Sequence, residues 1–377
     1  MKGRRVWAVA RKEFLHILRD PRSLGMAIVL PMLLLIIYGY ALTMDLDEVP
    51  LVVWDQSETP ASREFLSGFL GSRYFSLRGY VRNYRELERA IDSRQAMAAL
   101  VIPTDFARRI DAGRRAPVQM ILDGSDSNTA TIALGYADAV ARTYSQDIAL
   151  RQVLRIRGRP LDPPLELRPR VWYNADLESR NYIVPGLIAV MLMMIAAMLT
   201  SLTVAREWER GTMEQLISTP VQGRELILGK LLPYLAIGML DTLLAVLMGW
   251  LVFHVPLRGS VALLFAMAAV FLAGGLSLGM LVSIITRNQL LASQLASFLT
   301  LLPSVLLSGF VFEISAMPRP IQLFTYLVPA RYFLVLLRGI YLKGIGLEIL
   351  GAEALLLAFF GAAMVTLATR QFRKKLV

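Results

Sequence analysis

Tyr182-Ile-Val-Pro-Gly-Leu-Ile-Ala-Val-Met-Leu-Met-Met-Ile-Ala-Ala-Met-Leu-Thr-Ser-Leu-Thr-Val204 runs for 23 residues without a charge, then meets Ala205-Arg-Glu-Trp-Glu-Arg210. A helix needs about 20 largely apolar residues to cross a bilayer, so this run is long enough to span one. A helix at the surface of a soluble fold would carry a polar stripe, and this one has none. Five further segments read the same way: 24–44, 231–253, 261–285, 290–312 and 351–369. Only 231–253, with Asp241, and 351–369, with Glu353, contain a charge. The expected fold is therefore an α-helical polytopic membrane protein with six transmembrane helices.

Composition agrees. Of 377 residues, 55% are hydrophobic and 18% charged, with a mean hydropathy of +0.52, whereas soluble domains run at about 25% charged. The chain has no Cys, which excludes disulfides, thiolate metal sites and cysteine nucleophiles. With only His16 and His254, a histidine-rich metal centre is excluded as well, and no metal site is expected.

A seventh candidate, Ile321 to Tyr341, contains Pro329, Arg331 and Arg338. An arginine at mid-bilayer costs at least ~2.5 kcal/mol on insertion scales. With six spans the basic N-tail (Lys2, Arg4, Arg5, Arg11, Lys12, Arg19, Arg22) and the basic tail 370–377 (Arg370, Arg373, Lys374, Lys375) share one side. Seven would separate them. Residues 313–350 are accordingly read as short re-entrant helices dipping back from the outer face. On this topology 16 Lys and Arg lie in the inner segments and five in the short outer ones, an asymmetry that places both termini in the cytoplasm. The +11 net charge is then a membrane-surface signature, and no nucleic-acid partner is expected.

Gly39-Tyr40-Ala41 imitates a signal-peptide cleavage site, but 23 residues precede the first apolar run. Val6, Ala10, Phe14 and Ile17/Leu18 share one helical face in that leader, so residues 1–23 read as an amphipathic helix in the inner interface. Asp20-Pro21 ends it, and 24–44 is an uncleaved first span.

Residues 45–181 form a soluble block long enough for its own core. Strand signals at 51–54, 97–102 and 118–122 alternate with helix signals at 60–70, after Thr104 as the cap of a short helix, and over 128–157. This block is expected to be an α/β extracytoplasmic domain between helices one and two. Its Asp123-Gly-Ser-Asp-Ser-Asn-Thr129 segment fails as a calcium loop, because the sixth position is Asn128 and the twelfth Leu134. A strand-to-helix turn with a Ser or Asn N-cap fits it better. Pro160, Pro163, Pro164 and Pro169 make a stiff return to the membrane.

Within 182–369 the loop 205–230 is the most informative. Gly211 breaks the helical pattern, and Thr212 with Gln215 three residues on would cap a second short helix. Met213, Leu216 and Ile217 would give that helix an exposed apolar ridge suited to a partner's groove. A solvated loop with an interfacial helix reads equally well.

Arg206-Glu-Trp-Glu-Arg-Gly-Thr-Met-Glu214 with Ser218-Thr-Pro220 resembles the signature of ABC-2-type exporter permeases, and essentially the whole chain is similar to that family. Arg11-Lys-Glu-Phe, Arg19-Asp-Pro21 and Val328-Pro-Ala-Arg-Tyr332 match it too, as does the order of segments. The likeness is to the subgroup with a large extracytoplasmic insert, often linked to multidrug efflux. It implies a permease subunit of the bacterial cytoplasmic (inner) membrane that exports a hydrophobic or amphipathic substrate. Implied partners are ABC ATPase subunits, a second permease subunit and a periplasmic adaptor protein, alongside the lipid bilayer. In that family the 207–219 segment is the coupling helix. This gives Glu207, Glu209, Arg210, Gly211, Thr212 and Glu214 a coupling role, with Lys12 and Glu13 on the N-terminal helix that also meets the ATPase. The 313–350 stretch would close the exit, with Phe324, Leu327, Pro329 and Arg331 at its gate. Leu323, Phe324, Leu327 and Phe333 would face inward as an apolar plug.

No cofactor is expected on this chain; ATP and Mg belong to the partner ATPase. Gly223-Arg-Glu-Leu-Ile-Leu-Gly229-Lys230-Leu231 is the nearest approach to a P-loop, but it has five intervening residues instead of four and Leu at the hydroxyl position. An ion-coupled secondary transporter is an alternative, for which Asp241 is the only ionisable group near mid-span. The same Asp241 also reads as a protonated, hydrogen-bonded acid at a helix interface. A membrane receptor sensing through the outer domain is a third reading, and it leaves most of the bundle unexplained. Met191, Met193, Met194 and Met198 suit varied hydrophobic cargo or plain core packing.

Overall fold

The computed structural model describes residues 3–42, 48–125, 127–157, 172–174 and 178–372. The chain divides into two compact units, residues 44–169 and the remainder.

The helical unit begins with α1 (Gly3–Leu18) and α2 (Pro21–Ala41). It continues after the other unit with α7 (Ser179–Glu209), α8 (Thr212–Ser218), α9 (Gly223–Leu251), α10 (Val261–Thr286) and α11 (Gln289–Leu306). Two short helices, α12 (Arg319–Thr325) and α13 (Pro329–Arg338), precede α14 (Leu347–Gln371). Among the described residues α7, α9, α10, α11 and α14 are long and apolar enough to cross a membrane. The fully described part of α2, Ala27–Ala41, is shorter. The pair α12–α13 is bent by 80° at Val328-Pro329, since the residue before proline is pushed out of helical geometry.

Close backbone approach holds the centre of this unit together. α7 is the most enclosed of the long helices, and it packs on α10 through Gly279, where a Cβ would sit 2.1 Å from the Ala197 carbonyl oxygen. Gly275 lies one turn earlier, a small-x-x-x-small spacing that lets helix backbones meet. Thr200 Oγ1 donates to the Leu276 carbonyl at 2.7 Å across the same contact. α13 enters the core with Phe333 stacked on Phe271, centroids 4.1 Å apart.

Several expected boundaries move. The segment 290–312 is helical only to Leu306, and Gly309, at φ +85°, turns the chain beyond it. Conversely, α9 starts at Gly223, well before 231, because Glu225 Oε2 accepts from the Gln222 backbone N–H at 3.0 Å in a capping box. The face that α1 buries is Val9, Ala10, Glu13 and Ile17, while Phe14 and Leu18 are exposed. The tail 373–377 and Lys2 lie outside the described residues.

The second unit is a four-stranded sheet of order β2-β1-β3-β4, from β1 (Val49–Asp55), β2 (Phe75–Tyr80), β3 (Ala98–Ile102) and β4 (Gln119–Leu122). β1 runs parallel to β2 and β3, and β4 is antiparallel to β3. Alternation along the strands fills two cores. Leu51, Val53, Leu100 and Ile102 face α3 (Pro60–Leu70), α5 (Phe106–Asp111) and α6 (Ser127–Arg157). Val52, Ala99 and Val101 face Leu87 and Ala90 of α4 (Tyr84–Asp92). Strand β2 and helix α4 had no counterpart in the sequence reading. The cap of α5 is Asp105 rather than Thr104, and its side chain pairs with Arg109 instead of the helix end. α6 begins at Ser127, so Ser127 and Asn128 lie within the helix and not at a cap before it, while the proline-rich return falls outside the described residues.

Candidate functional site

The apolar part of α7 ends in a last turn, Arg206-Glu-Trp-Glu209, that carries four polar or aromatic side chains in succession. Gly211 then adopts φ +71°, a conformation that side chains disfavour, and redirects the chain into α8. The N-cap of α8 is Gly211 itself, with no side-chain bond; Thr212 falls inside the helix, its Oγ1 donating to the Glu207 carbonyl at 3.4 Å. The expected cap by Thr212 is therefore corrected. So is the exposed ridge, because Met213 is fully buried and Leu216 is half-buried against the core.

Beneath this corner lies a buried ion cluster. Lys230, in the third turn of α9, is 1% exposed. Its Nζ donates to Glu13 Oε1 at 2.7 Å and lies 3.0 Å from Glu207 Oε1. Lys12 Nζ adds a 3.3 Å contact to Glu207. Helices α1, α7 and α9 are thus joined through one ammonium. Gly229 makes the geometry reachable: a Cβ there would meet Val9 Cβ at 2.7 Å and the Val6 carbonyl oxygen at 2.9 Å, so only glycine lets α1 lie this close. Burial pushes the Glu13 carboxyl up, but Lys230, Lys12 and His16 more than reverse that and hold it below the ordinary value of 4.5.

Neighbouring contacts fix the rest of the corner. Arg206 Nη1 lies 3.8 Å from Asp20 Oδ2, and Glu209 accepts from the Gln289 backbone N–H at 2.8 Å. The Arg287 guanidinium sits 4.6 Å over the Trp208 ring. Arg5 reaches Glu225 at 3.6 Å and donates to the Pro220 carbonyl at 2.6 Å. A cavity of about 600 Å³ opens between α1, α2, α7, α8 and α9. Its walls are apolar along Leu30, Met194, Met198 and Leu199 and charged at Lys12, Glu207 and Arg210.

Residues 21–370 match the family described as ABC-2 family transporter protein. The chain belongs to that family. The probable multidrug ABC transporter permease YbhS of Escherichia coli (strain K12) is 39% identical over 345 residues, covering 91% of this chain and 90% of the relative. YbhR of the same strain, with the same description, is 29% identical over 373 residues, 99% of each chain. The inner membrane transport permease YhhJ of that strain is 27% identical over 355 residues, 91% of this chain and 92% of the relative. This ABC-2 transporter is accordingly a polytopic membrane permease, and membership implies an ABC ATPase partner.

Of the residues singled out from sequence, the ABC-2 chain brings Lys12, Glu13 and Glu207 together around Lys230. Glu209 is spent on Gln289, while Arg210 and Glu214 are exposed. In the sequence, Lys230 reads only as part of a failed P-loop match. A lone lysine at the start of an apolar span was the signal for it, since such a charge needs a partner.

The exit residues sit elsewhere. Leu323, Phe324 and Leu327 do not face inward; they are 71%, 62% and 74% exposed on this chain. The 80° break turns α12 away from the core that α13 enters, and of the expected plug only Phe333 is buried. Pro329 opens α13 and is buried. Arg331 bonds Thr325 Oγ1 and lies 3.9 Å over the Tyr326 ring, which removes the need to expose its charge. Asp241, on α9, is fully buried, and neither carboxyl oxygen has a hydrogen-bond partner, unlike the bonded interface acid of the sequence reading.

Proposed function

We propose that this chain is the membrane-spanning subunit of an ATP-driven exporter of the inner membrane, energised by ATPase subunits on separate polypeptides. The observation that carries this is the Lys230–Glu13–Glu207 cluster. It ties α8 and the end of α7 to α1 and α9, so a push on α8 moves two apolar helices and the amphipathic α1 at once. A loose surface loop would absorb the same push. Exposed Glu214 and Gln215 are then the groups available to a docking ATPase.

In this reading α2, α7, α9, α10, α11 and α14 are the six spans, with α12–α13 re-entrant from the outer face. Both termini are cytoplasmic and 45–181 is extracytoplasmic. ATP and Mg are bound and hydrolysed on the partner. The permease works with a second copy or a paralogue, which would cover Phe324 and Leu327, and an adaptor protein extends the route beyond the membrane. The substrate is hydrophobic or amphipathic, in keeping with relatives named as multidrug permeases. Single cysteines at Ser125 and at the C-terminus test the topology; labelling of both from one side ends it.

Reversing charge at Glu214 tests coupling. Glu214→Lys is expected to lower substrate-stimulated ATP hydrolysis of the purified complex at least tenfold, with expression and melting temperature unchanged. Undiminished stimulation would remove α8 from the coupling path.

A further inference from the structure

Buried polar atoms are almost always hydrogen-bonded, so those left over point to a missing partner. Among the described residues, such side-chain atoms occur on Asn181, Glu207, Asp241, Arg338 and Tyr341. Only Glu207 and Asp241 of these line the cleft between α2, α7 and α9. Both offer carboxylate oxygens: Glu207 Oε2, and Oδ1 and Oδ2 of Asp241. What these oxygens lack is a donor, and the unpaired buried donors among the described residues, on Arg338 and Tyr341, line neither cavity.

The two carboxylates mark the ends of one track. Lys230, Tyr234, Ile237 and Asp241 follow each other on one face of α9 at helical spacing. The first three line the 600 Å³ cavity, and Asp241 lines a second one of about 10 Å³ with Pro31, Met32 and Leu35 of α2 and Met191 of α7. Ile195 borders both cavities. The larger volume lies within the range of small-molecule sites, about 300–1,000 Å³. The smaller holds no more than a water-sized group, so the two merge only when side chains shift. Met191, Met194 and Met198 on α7 are unbranched and adapt at low cost. At the wide end Lys12 and Lys230 are held by Glu13 and Glu207, and Arg206 lies beside Asp20. Arg210 lines that end too and is exposed, so the mouth is mixed in charge and the preference for a cation is set at Asp241.

We propose that this cleft binds an organic cation, an amine carried on an apolar body, whose positive charge is received by Asp241. Its role as the substrate site rests on the permease reading; its chemistry does not. The apolar body lies against α2 and the α7 methionines, and the ammonium donates to the two Asp241 oxygens. Tyr234 and Ile237 line the way in.

The test uses the full chain in phosphatidylcholine nanodiscs and two probes on one frame, cationic 9-aminoacridine and anionic acridine-9-carboxylate, read by fluorescence polarisation. The cation is expected to bind at least tenfold more tightly than the anion. Asp241→Asn should lose at least tenfold in cation affinity without lowering the melting temperature, and Asp241→Glu should retain affinity within about threefold. A direct reading on the wild type avoids any folding question. Dicyclohexylcarbodiimide, which modifies carboxyls in apolar surroundings, should label Asp241 by mass spectrometry, and 9-aminoacridine but not the carboxylate should block it. Equal affinity for the two probes, unchanged binding by Asp241→Asn, or labelling indifferent to 9-aminoacridine would each overturn the site. Co-purification of an ATPase subunit with the same preparation separates the two failures. An ATPase without cation selectivity sinks the site alone; cation selectivity with no ATPase partner sinks the exporter reading alone.

Discussion

Lys230 and Asp241 occupy one face of α9, about 16 Å apart along the axis, and both are buried. The lysine is bracketed by two carboxylates at 2.7 and 3.0 Å; the aspartate has no partner at all. Equal burial therefore hides opposite energetics. A charge whose partners are in place resists removal, because taking it away strands them, whereas a charge without partners costs stability for as long as it stays. The first kind builds an architecture. The second persists only where something other than stability is served.

The largest expected effect breaks the paired end. Lys230→Met leaves the buried Glu13 and Glu207 with only the half-exposed Lys12 between them and should cost about 3 kcal/mol, read by unfolding of the detergent-solubilised chain. A variant of wild-type stability would mean that the two ends of α9 do not differ. Asp241→Leu should have the opposite sign. Deleting two unpaired buried oxygens is worth about 1–3 kcal/mol, and the melting temperature should rise. A fall would show that Asp241 has a partner after all and would dissolve the contrast.

Acid sharpens the paired end further. The Glu13 carboxyl lies below its ordinary value of 4.5 in the folded chain, so its contribution to stability is complete above that value. It is lost as the pH falls through the depressed one. The drop in melting temperature between pH 5 and pH 3 should shrink in Glu13→Gln, and an unchanged acid limb would place the charge elsewhere. The smallest effect belongs to the exposed end of the molecule's irregular segment. Phe324→Ala and Leu327→Ala should each leave the single chain's stability within about 0.5 kcal/mol, measured at a concentration where it is monomeric. A larger loss would put these side chains in a packed core.

Much of the helical unit was legible because charge-free runs of about 20 residues have few other uses. The helix ends were less so. α9 begins at a capping box, Gln222 with Glu225, that lies among charged residues and outside any apolar window. The Lys230–Glu13 pair was not legible, since its members are 217 residues apart and Glu13 looked like one more charge on an amphipathic helix. Strand β2, Phe75-Ser-Leu-Arg-Gly-Tyr80, escaped because Arg78 and Gly79 interrupt its alternation, and pairing with β1 supplies what propensity does not. The inward plug failed for a related reason. Apolar residues on a broken segment fix that they will be covered, not by what.

The last turn of α7 has a mechanical consequence. Successive residues on a helix point about 100° apart, so Arg206, Glu207, Trp208 and Glu209 reach around the whole circumference. They grip, in order, Asp20 between α1 and α2, Lys230 of α9, Arg287 at the end of α10, and Gln289 at the start of α11. Such a rim behaves like a splined shaft. Sliding α7 along its axis shifts every grip by the same small amount, while twisting it drags or shears all four together. A twist of α7 at this end would therefore be felt by four neighbouring elements at once.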